Sequence, residues 1–249
     1  MALVGNWRVD FINSALMQPA MHLPADTPPA GERATDEGTF RRYQTALLAG
    51  DRQQCRAVFE GWLRSDLDLH QLYEEIIQRS LYEVGQLWEA GKVSVATEHL
   101  ATAITESLLN LVYPRLFSQP RLGKSAVVTC TANEYHQIGG KMVADVFELN
   151  GWRGYFLGAN TPPADLLNLV REKQPDVVTL SLTVYFNLES LLETARKVRA
   201  EFPAMPILVG GQAFRWGGRE RVAEVPGVRC LTSLVDLEQW IKSGGGHAA

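Results

Sequence analysis

Ala126-Val127-Val128-Thr129-Cys130-Thr131-Ala132-Asn133-Glu134-Tyr135-His136-Gln137-Ile138-Gly139-Gly140 decides the reading of the chain. A short, nearly continuous apolar run opens it, a polar loop follows, and helical spacing takes over from about 136 to 149. Such a run suits a parallel strand buried on both faces. Gly154-Tyr155-Phe156-Leu157, Val177-Val178-Thr179-Leu180 and Ile207-Leu208-Val209 repeat it, and Val228-Arg229-Cys230-Leu231 offers a fifth. Helical stretches at about 162–173, 188–201, 218–224 and 234–243 separate the runs. Thr161 followed by Pro162 marks one start, since proline at the first helical position loses no hydrogen bond. Strands alternating with helices imply parallel crossovers that packing must cover. The expectation is an α/β domain over 120–249 with a flavodoxin-like, doubly wound parallel sheet of five strands.

Upstream the period changes from strand to helix. Phe40, Tyr43 and Leu47 have helical spacing that stops at Gly50. Asp51 with Gln54, and Asp68 with Gln71, resemble capping boxes, in which a carboxylate accepts from free N–H groups at a helix start. Cys55, Val58, Phe59 and Trp62 form one apolar stripe. Leu69, Leu72, Tyr73, Ile76, Ile77, Val84 and Leu87 form a longer one ending near Gly91. Ala96, Leu100, Ile104, Leu108 and Leu111 mark a fourth helix. Four helices with short connections predict a four-helix bundle over 39–119. Residues 1–38 hold scattered prolines and glycines without a period, and an extended or disordered segment is expected there.

Bulk properties exclude several classes of function. Of the 249 residues 46% are hydrophobic and 21% charged, ordinary values for a globular protein. A net charge of −4 and a pI near 5.8 give no electrostatic case for a broad nucleic-acid surface. No apolar run approaches the roughly 18 residues that span a membrane, and no secretory signal opens the chain. Cys55, Cys130 and Cys230 are odd in number and widely spaced, so neither a disulfide framework nor a paired-thiol metal site is expected. A cytoplasmic setting follows. The glycines do not form G-x-G-x-x-G after the first strand, which disfavours a nicotinamide dinucleotide, and no phosphate-cradling G-x-x-x-x-G-K-[ST] occurs.

In an open α/β sheet, ligands bind beyond the carboxyl ends of the strands near the topological switch point. The loop 131–140, Ser181-Leu182-Thr183 and Gly210-Gly211 all fall there. His136 offers an imidazole for a metal, and Glu134 could fix its tautomer and raise its basicity; the same histidine could simply cap the helix that follows. Gly210-Gly211 would let a ligand approach the backbone, or would make an ordinary tight turn. Ser181 and Thr183 supply hydroxyls, either to a ligand or to exposed backbone. In the helical half, Val95, Glu98, His99 and Thr102 share one side of a helix by i, i+3, i+4 geometry. Trp88, just before the Gly91 break, could lie across that side or fill the bundle core.

Taken together these residues resemble the cobalamin-binding proteins, with a helical cap followed by a Rossmann-like cobalamin-binding domain, over about residues 40–243. In that family a D/E-x-H-x-x-G loop supplies the lower cobalt ligand, and Glu134-Tyr135-His136-Gln137-Ile138-Gly139 fits it. The resemblance implies that His136 binds cobalt. It also implies that the displaced dimethylbenzimidazole tail threads past Ser181, Thr183, Gly210 and Gly211. The glutamate form of the loop, with a Trp-x9-Glu-His cap, is most similar to the light-responsive, adenosylcobalamin-dependent transcription regulators. There the tryptophan and glutamate cover the adenosyl group; Trp88, Val95, Glu98 and His99 match those positions. Those regulators carry a winged helix-turn-helix domain, whereas about 38 residues precede the cap here, so direct DNA binding is not expected. The histidine that follows their cap tryptophan and takes cobalt after illumination is Glu89 here.

The resemblance therefore implies a non-enzymatic sensor that binds adenosylcobalamin and signals through a protein partner, a transcription factor or a separate signalling protein. It leaves room for a homo-oligomer. Two alternatives share the fold: a corrinoid carrier of a methyltransferase system, loaded with methylcobalamin, and a haem-binding sensor using His136 as axial ligand.

Overall fold

The computed structural model describes residues 37–65 and 67–245. The segment expected to be extended, 1–38, lies almost wholly outside the described residues. Helix α1 (Glu37–Ala49) ends at Gly50, whose φ of +70° an L side chain adopts only with strain. Asp51 opens α2 (Arg52–Arg64) by accepting from the Gln54 amide. At Asp68 the capping box is complete in both directions. It starts α3 (Leu69–Gln71), which runs without a break through a π-helical stretch (Leu72–Gln78) into α4 (Arg79–Glu89). After the Gly91 turn, Ser94 caps α5 (Val95–Leu109), and a 3₁₀ turn leads to α6 (Tyr113–Leu116). The expected long helix is thus present but widened in its middle to a π-helical turn, where Leu72, Tyr73, Ile76 and Ile77 are all buried.

The face of α5 differs from the expectation. Ala96 and Leu100 are exposed; the expected Ile104 and Leu108 are buried, together with Ala101, Thr105 and Leu109. Apolar and small residues extend beyond one stripe of this helix, so a period alone does not fix where the inward face begins. Tyr43, Leu47, Cys55, Phe59, Leu72, Ile76, Ile104 and Leu109 form the core of the bundle.

The second half alternates as predicted: β1 (Ser125–Cys130), α7 (Ile138–Leu149), β2 (Arg153–Phe156), α8 (Pro163–Lys173), β3 (Val177–Ser181), α9 (Leu188–Glu201), β4 (Ile207–Gly210), α10 (Arg219–Ala223), β5 (Val228–Cys230) and α11 (Leu234–Lys242). All pairings are parallel, in the order β2-β1-β3-β4-β5, the doubly wound arrangement whose switch point falls between β1 and β3. Helix α8 starts one residue later than Thr161-Pro162 suggested, because Pro163 follows and holds Pro162 extended (ψ 138°), leaving Pro163 as the first helical residue. Period-two alternation sends Val178, Leu180 and Val209 into one core, and Val128, Val177 and Leu208 into another with Phe147 and Trp240 of α7 and α11.

Helix α7 joins the two halves. Its Ile138 and Met142 belong to the core of the helical bundle. One turn further, the buried Tyr73 hydroxyl donates to Asp145 at 2.6 Å, and Lys141 lies 3.4 Å from the same carboxylate. Glu74 accepts from the Leu234 amide at the start of α11 (2.9 Å), and Gln137 donates to Glu106 of α5 (2.9 Å). The last contact holds α5 over the loop that follows β1.

Candidate corrinoid site

The register sets the floor of the site. Cys130 pairs with Ser181, and Ser181 with Gly210, so these three stand side by side at the carboxyl edge of the sheet. Beyond Cys130 the chain makes the loop that carries Glu134 and His136. Helix α7 begins at Ile138, with Gln137 as its N-terminal neighbour. His136 is therefore a loop residue, and its side chain is turned to Glu134 and makes no capping hydrogen bond to the helix that follows.

Glu134 is completely buried. One carboxylate oxygen accepts from His136 Nδ1 at 2.6 Å and from the His136 amide at 3.0 Å. The other accepts from the amides of Thr183 (2.9 Å) and Val184 (2.8 Å). Burial pushes the carboxyl pKa up, but the hydrogen bonds from His136 and the Val184 amide outweigh it, and the net shift is downward. His136 is raised by its hydrogen bond to Glu134, against the opposing effect of burial; the charges of Glu134 and of Glu98 on the cap add to the rise. The imidazole side chain is 54% exposed. Its Nδ1 is committed to Glu134, and Nε2 has no hydrogen-bond partner among the described residues. A ring fixed through Nδ1 to a buried carboxylate, with Nε2 free, is the arrangement of a metal-ligating histidine.

Residues that the sequence reading passed over hold this loop. Asn133 and Asn160 both adopt left-handed backbone (φ +68° and +51°), a conformation asparagine tolerates better than other L residues. The Asn133 amide donates to the Asn160 side chain (2.8 Å), and the Asn160 amide donates to the Glu134 carbonyl (2.8 Å). Asn187 donates to the Asn133 carbonyl (3.0 Å), and Ser190 to the Ala132 carbonyl (3.0 Å). The loop after β1 is thus tied to the connections after β2 and β3. Asparagine's left-handed tendency was the one signal in the sequence, and it does not name a partner.

Gly210 and Gly211 have an internal reason to be glycine. A Cβ on Gly211, at φ +121°, would lie 2.1 Å from the Leu182 carbonyl oxygen, and one on Gly210 would lie 2.9 Å from that of Leu231. Gly139 is less crowded: its nearest neighbour would be the Ser181 hydroxyl at 3.8 Å. Ser181 is buried, while Thr183 is half-buried and meets Glu134 through its backbone.

On the cap, Glu98 joins His99 Nδ1 at 2.6 Å and accepts from Thr102 at 3.1 Å. His99 is 69% exposed and Val95 45%. Trp88 is half-buried near the end of α4. Among the described residues, no hydrogen bond, ion pair or ring contact joins Trp88 or Val95 to the His136 loop. The structure therefore brings Glu134, His136, Thr183 and Ser181 together at the sheet edge and sets Glu98 within electrostatic reach of His136. It leaves Trp88, Val95 and His99 around the cap's face.

Fold and loop together define a corrinoid-binding architecture: a helical cap beside a doubly wound sheet with a carboxylate–histidine pair at its switch point. Two family models, each described as a B12 binding domain, match residues 124–231 and 39–113, and the chain belongs to the B12-binding-domain proteins. It is 30% identical over 193 residues to the HTH-type transcriptional repressor CarA of Myxococcus xanthus, covering 76% of this chain and 63% of that protein. With the HTH-type transcriptional repressor CarH of the same organism, identity is 31% over 145 residues, covering 57% of this chain and 48% of that one. The chain thus spans less than two thirds of either repressor. A solved structure of the Methanosarcina barkeri monomethylamine corrinoid protein matches the fold with a TM-score of 0.71 at 11% identity, over 84% of this chain and 100% of that one. No helix among the described residues is long and apolar enough to cross a membrane.

Proposed function

We propose that this protein is a light-responsive sensor that holds adenosylcobalamin, with His136 below cobalt and the cap face of Trp88, Val95, Glu98 and His99 around the upper group, and that it signals through a protein partner. The observation that carries the reading is the His136–Glu134 pair, fully hydrogen-bonded on the carboxylate side and free at Nε2. When bound, adenosylcobalamin supplies a cobalt–carbon bond that visible light breaks. The chain's own residues do the rest. Glu134 holds the imidazole in one tautomer and increases its basicity. Ser181, Thr183, Gly210 and Gly211 line the route of the nucleotide tail. Glu98 and Trp88 would face the bound cofactor from the cap, so a change in the cofactor would change what the cap rests on. A ligand shifts a conformational equilibrium only through such differential contacts, and α7, whose residues belong to both cores, carries the change between the halves. Residues homologous to two repressors support a regulatory output, which the partner delivers.

A methyl-carrier role is the competing reading, favoured by the exposure of Val95 and His99, which leaves the upper face open to a partner enzyme. One experiment separates the two. Protein reconstituted with adenosylcobalamin is followed by visible absorption in the dark and under green light. The sensor predicts a bound spectrum with histidine below cobalt that converts on illumination, is lost in His136→Ala, and is accompanied by a change in elution volume or interdomain protection. A protein that retains methylcobalamin in preference, surrenders its methyl group to a thiol acceptor and keeps its elution volume in the light would be a carrier instead.

A further inference from the structure

Two buried hydroxyls in the α/β half, those of Thr179 and Thr131, have no hydrogen-bond partner among the described residues. The Thr179 hydroxyl lies in the middle of β3, in a residue only 5% exposed. Its strand neighbours are Val128 on β1 and Leu208 on β4. Both belong to the apolar core closed by α7 and α11, so all three side chains share that face. A threonine hydroxyl in an apolar row costs stability that valine, of the same shape, would not. Thr131 is also unpartnered, but by the same alternation it lies on the other face of the sheet, with Thr129.

Position gives the hydroxyl a use. The row above Val128, Thr179 and Leu208 is Cys130, Ser181 and Gly210, at the carboxyl edge beside the His136 loop. A group entering from that edge past Ser181 meets Thr179 next, one row deeper on the same face of the sheet. We infer that Thr179 reads the base at the end of the corrinoid's nucleotide tail, and that its hydroxyl favours a base with a hydrogen-bonding outer edge, such as adenine, over dimethylbenzimidazole. The inference rests on the corrinoid reading above and narrows it: the adenosyl group and His136 as cobalt ligand are kept, and only the preferred lower base changes from dimethylbenzimidazole to adenine. Dimethylbenzimidazole presents two methyl groups on its outer edge, which leave a buried hydroxyl unpaired. Adenine presents an amino group and ring nitrogens, which pair with it. Discrimination of this kind is strong because the unmatched ligand leaves the protein's own polar group without a partner.

The test uses three corrinoids on the full chain: cobalamin, the cobamide carrying adenine in place of dimethylbenzimidazole, and cobinamide, which has no nucleotide tail. Dissociation constants are read by absorbance titration for wild type, Thr179→Val and Thr179→Ser. Thr179→Val is expected to shift the adenine-to-dimethylbenzimidazole affinity ratio by about fivefold towards dimethylbenzimidazole. Cobinamide binding should stay the same, and Thr179→Ser should restore the wild-type ratio. A melting temperature of the ligand-free protein that rises in Thr179→Val would agree with an unpaired hydroxyl. An unchanged ratio in Thr179→Val, or a change that cobinamide shares equally, would overturn the role of Thr179. If wild type binds none of the three, cobinamide included, the corrinoid reading fails and this inference with it.

Discussion

The two sides of the site are built on opposite principles. On the α/β side, Glu134 is buried and all its hydrogen bonds come from fixed donors: three backbone amides and one imidazole nitrogen. The loop around it is tied to the ends of two further strands by Asn133, Asn160 and Asn187. On the cap side, Glu98 pairs with a histidine that is mostly in water and with one hydroxyl on its own helix. One side is preorganised to hold a metal ligand at one angle, which a second shell of hydrogen bonds does well. The other side has little to lose by rearranging. A sensor needs that asymmetry: a fixed attachment below and a face above whose contacts depend on what is bound.

The sharpest way to break this comparison is to remove each carboxylate in turn from the ligand-free protein. Glu134→Ala strands the amides of His136, Thr183 and Val184 and should cost about 3 kcal/mol in urea unfolding. Glu98→Ala loses only half-exposed pairs and should cost less than about 0.5 kcal/mol. Equal losses would mean that the cap face is as rigid as the loop, and the asymmetry would not stand.

A smaller effect is expected at the joint between the halves. Burial raises the Asp145 pKa above the ordinary aspartate value, opposed by the Tyr73 hydrogen bond and by Lys141. The folded value lies above the unfolded one, so the protonated acid is the form the fold prefers. Its contribution to stability is fully present below the unfolded pKa and is lost as pH rises through the folded one. Asp145→Asn keeps an acceptor for Tyr73 and cannot ionise. The stability of wild type relative to this variant should therefore fall as pH rises from about 4 through the folded pKa, by on the order of 1 kcal/mol, and level off above it. Thermal melts of both proteins across that range would show it. A difference that is flat with pH would mean that the joint does not feel the charge on Asp145.

Much of this architecture was legible in the sequence, and the exceptions share a cause. The five apolar runs became the five strands: the inner three, β1, β3 and β4, are covered on both faces and need no polar side, while the edge strands β2 and β5 stay partly exposed. Glu134 and His136 were legible because they are neighbours on one loop. The donors that complete Glu134 lie 49 and 50 residues further on and are backbone groups, which no side-chain pattern announces. The asparagine clamp has the same character: Asn133 and Asn160 are 27 residues apart and meet only once β1 and β2 pair. The π-helical stretch and the true inward face of α5 were hidden for another reason. Both segments are rich in apolar residues on several sides, and their partners, not their period, select the face. Gly210 and Gly211 were visible, but the crowding by Leu231 and Leu182 that requires them was not.

The smallest predicted effect tests the cap side alone. His99 is exposed, so in the ligand-free protein His99→Ala should change unfolding stability by no more than about 0.5 kcal/mol. Its consequence should appear only with the corrinoid present. If the cap face responds to the upper group, His99→Ala will leave dark binding of adenosylcobalamin within about twofold and alter the product spectrum or its rate of decay after illumination. If His99→Ala instead weakens dark binding as severely as His136→Ala, the cap would be a holding element like the loop below it. The division between a fixed lower side and a responsive upper one would then be wrong at the residue best placed to show it.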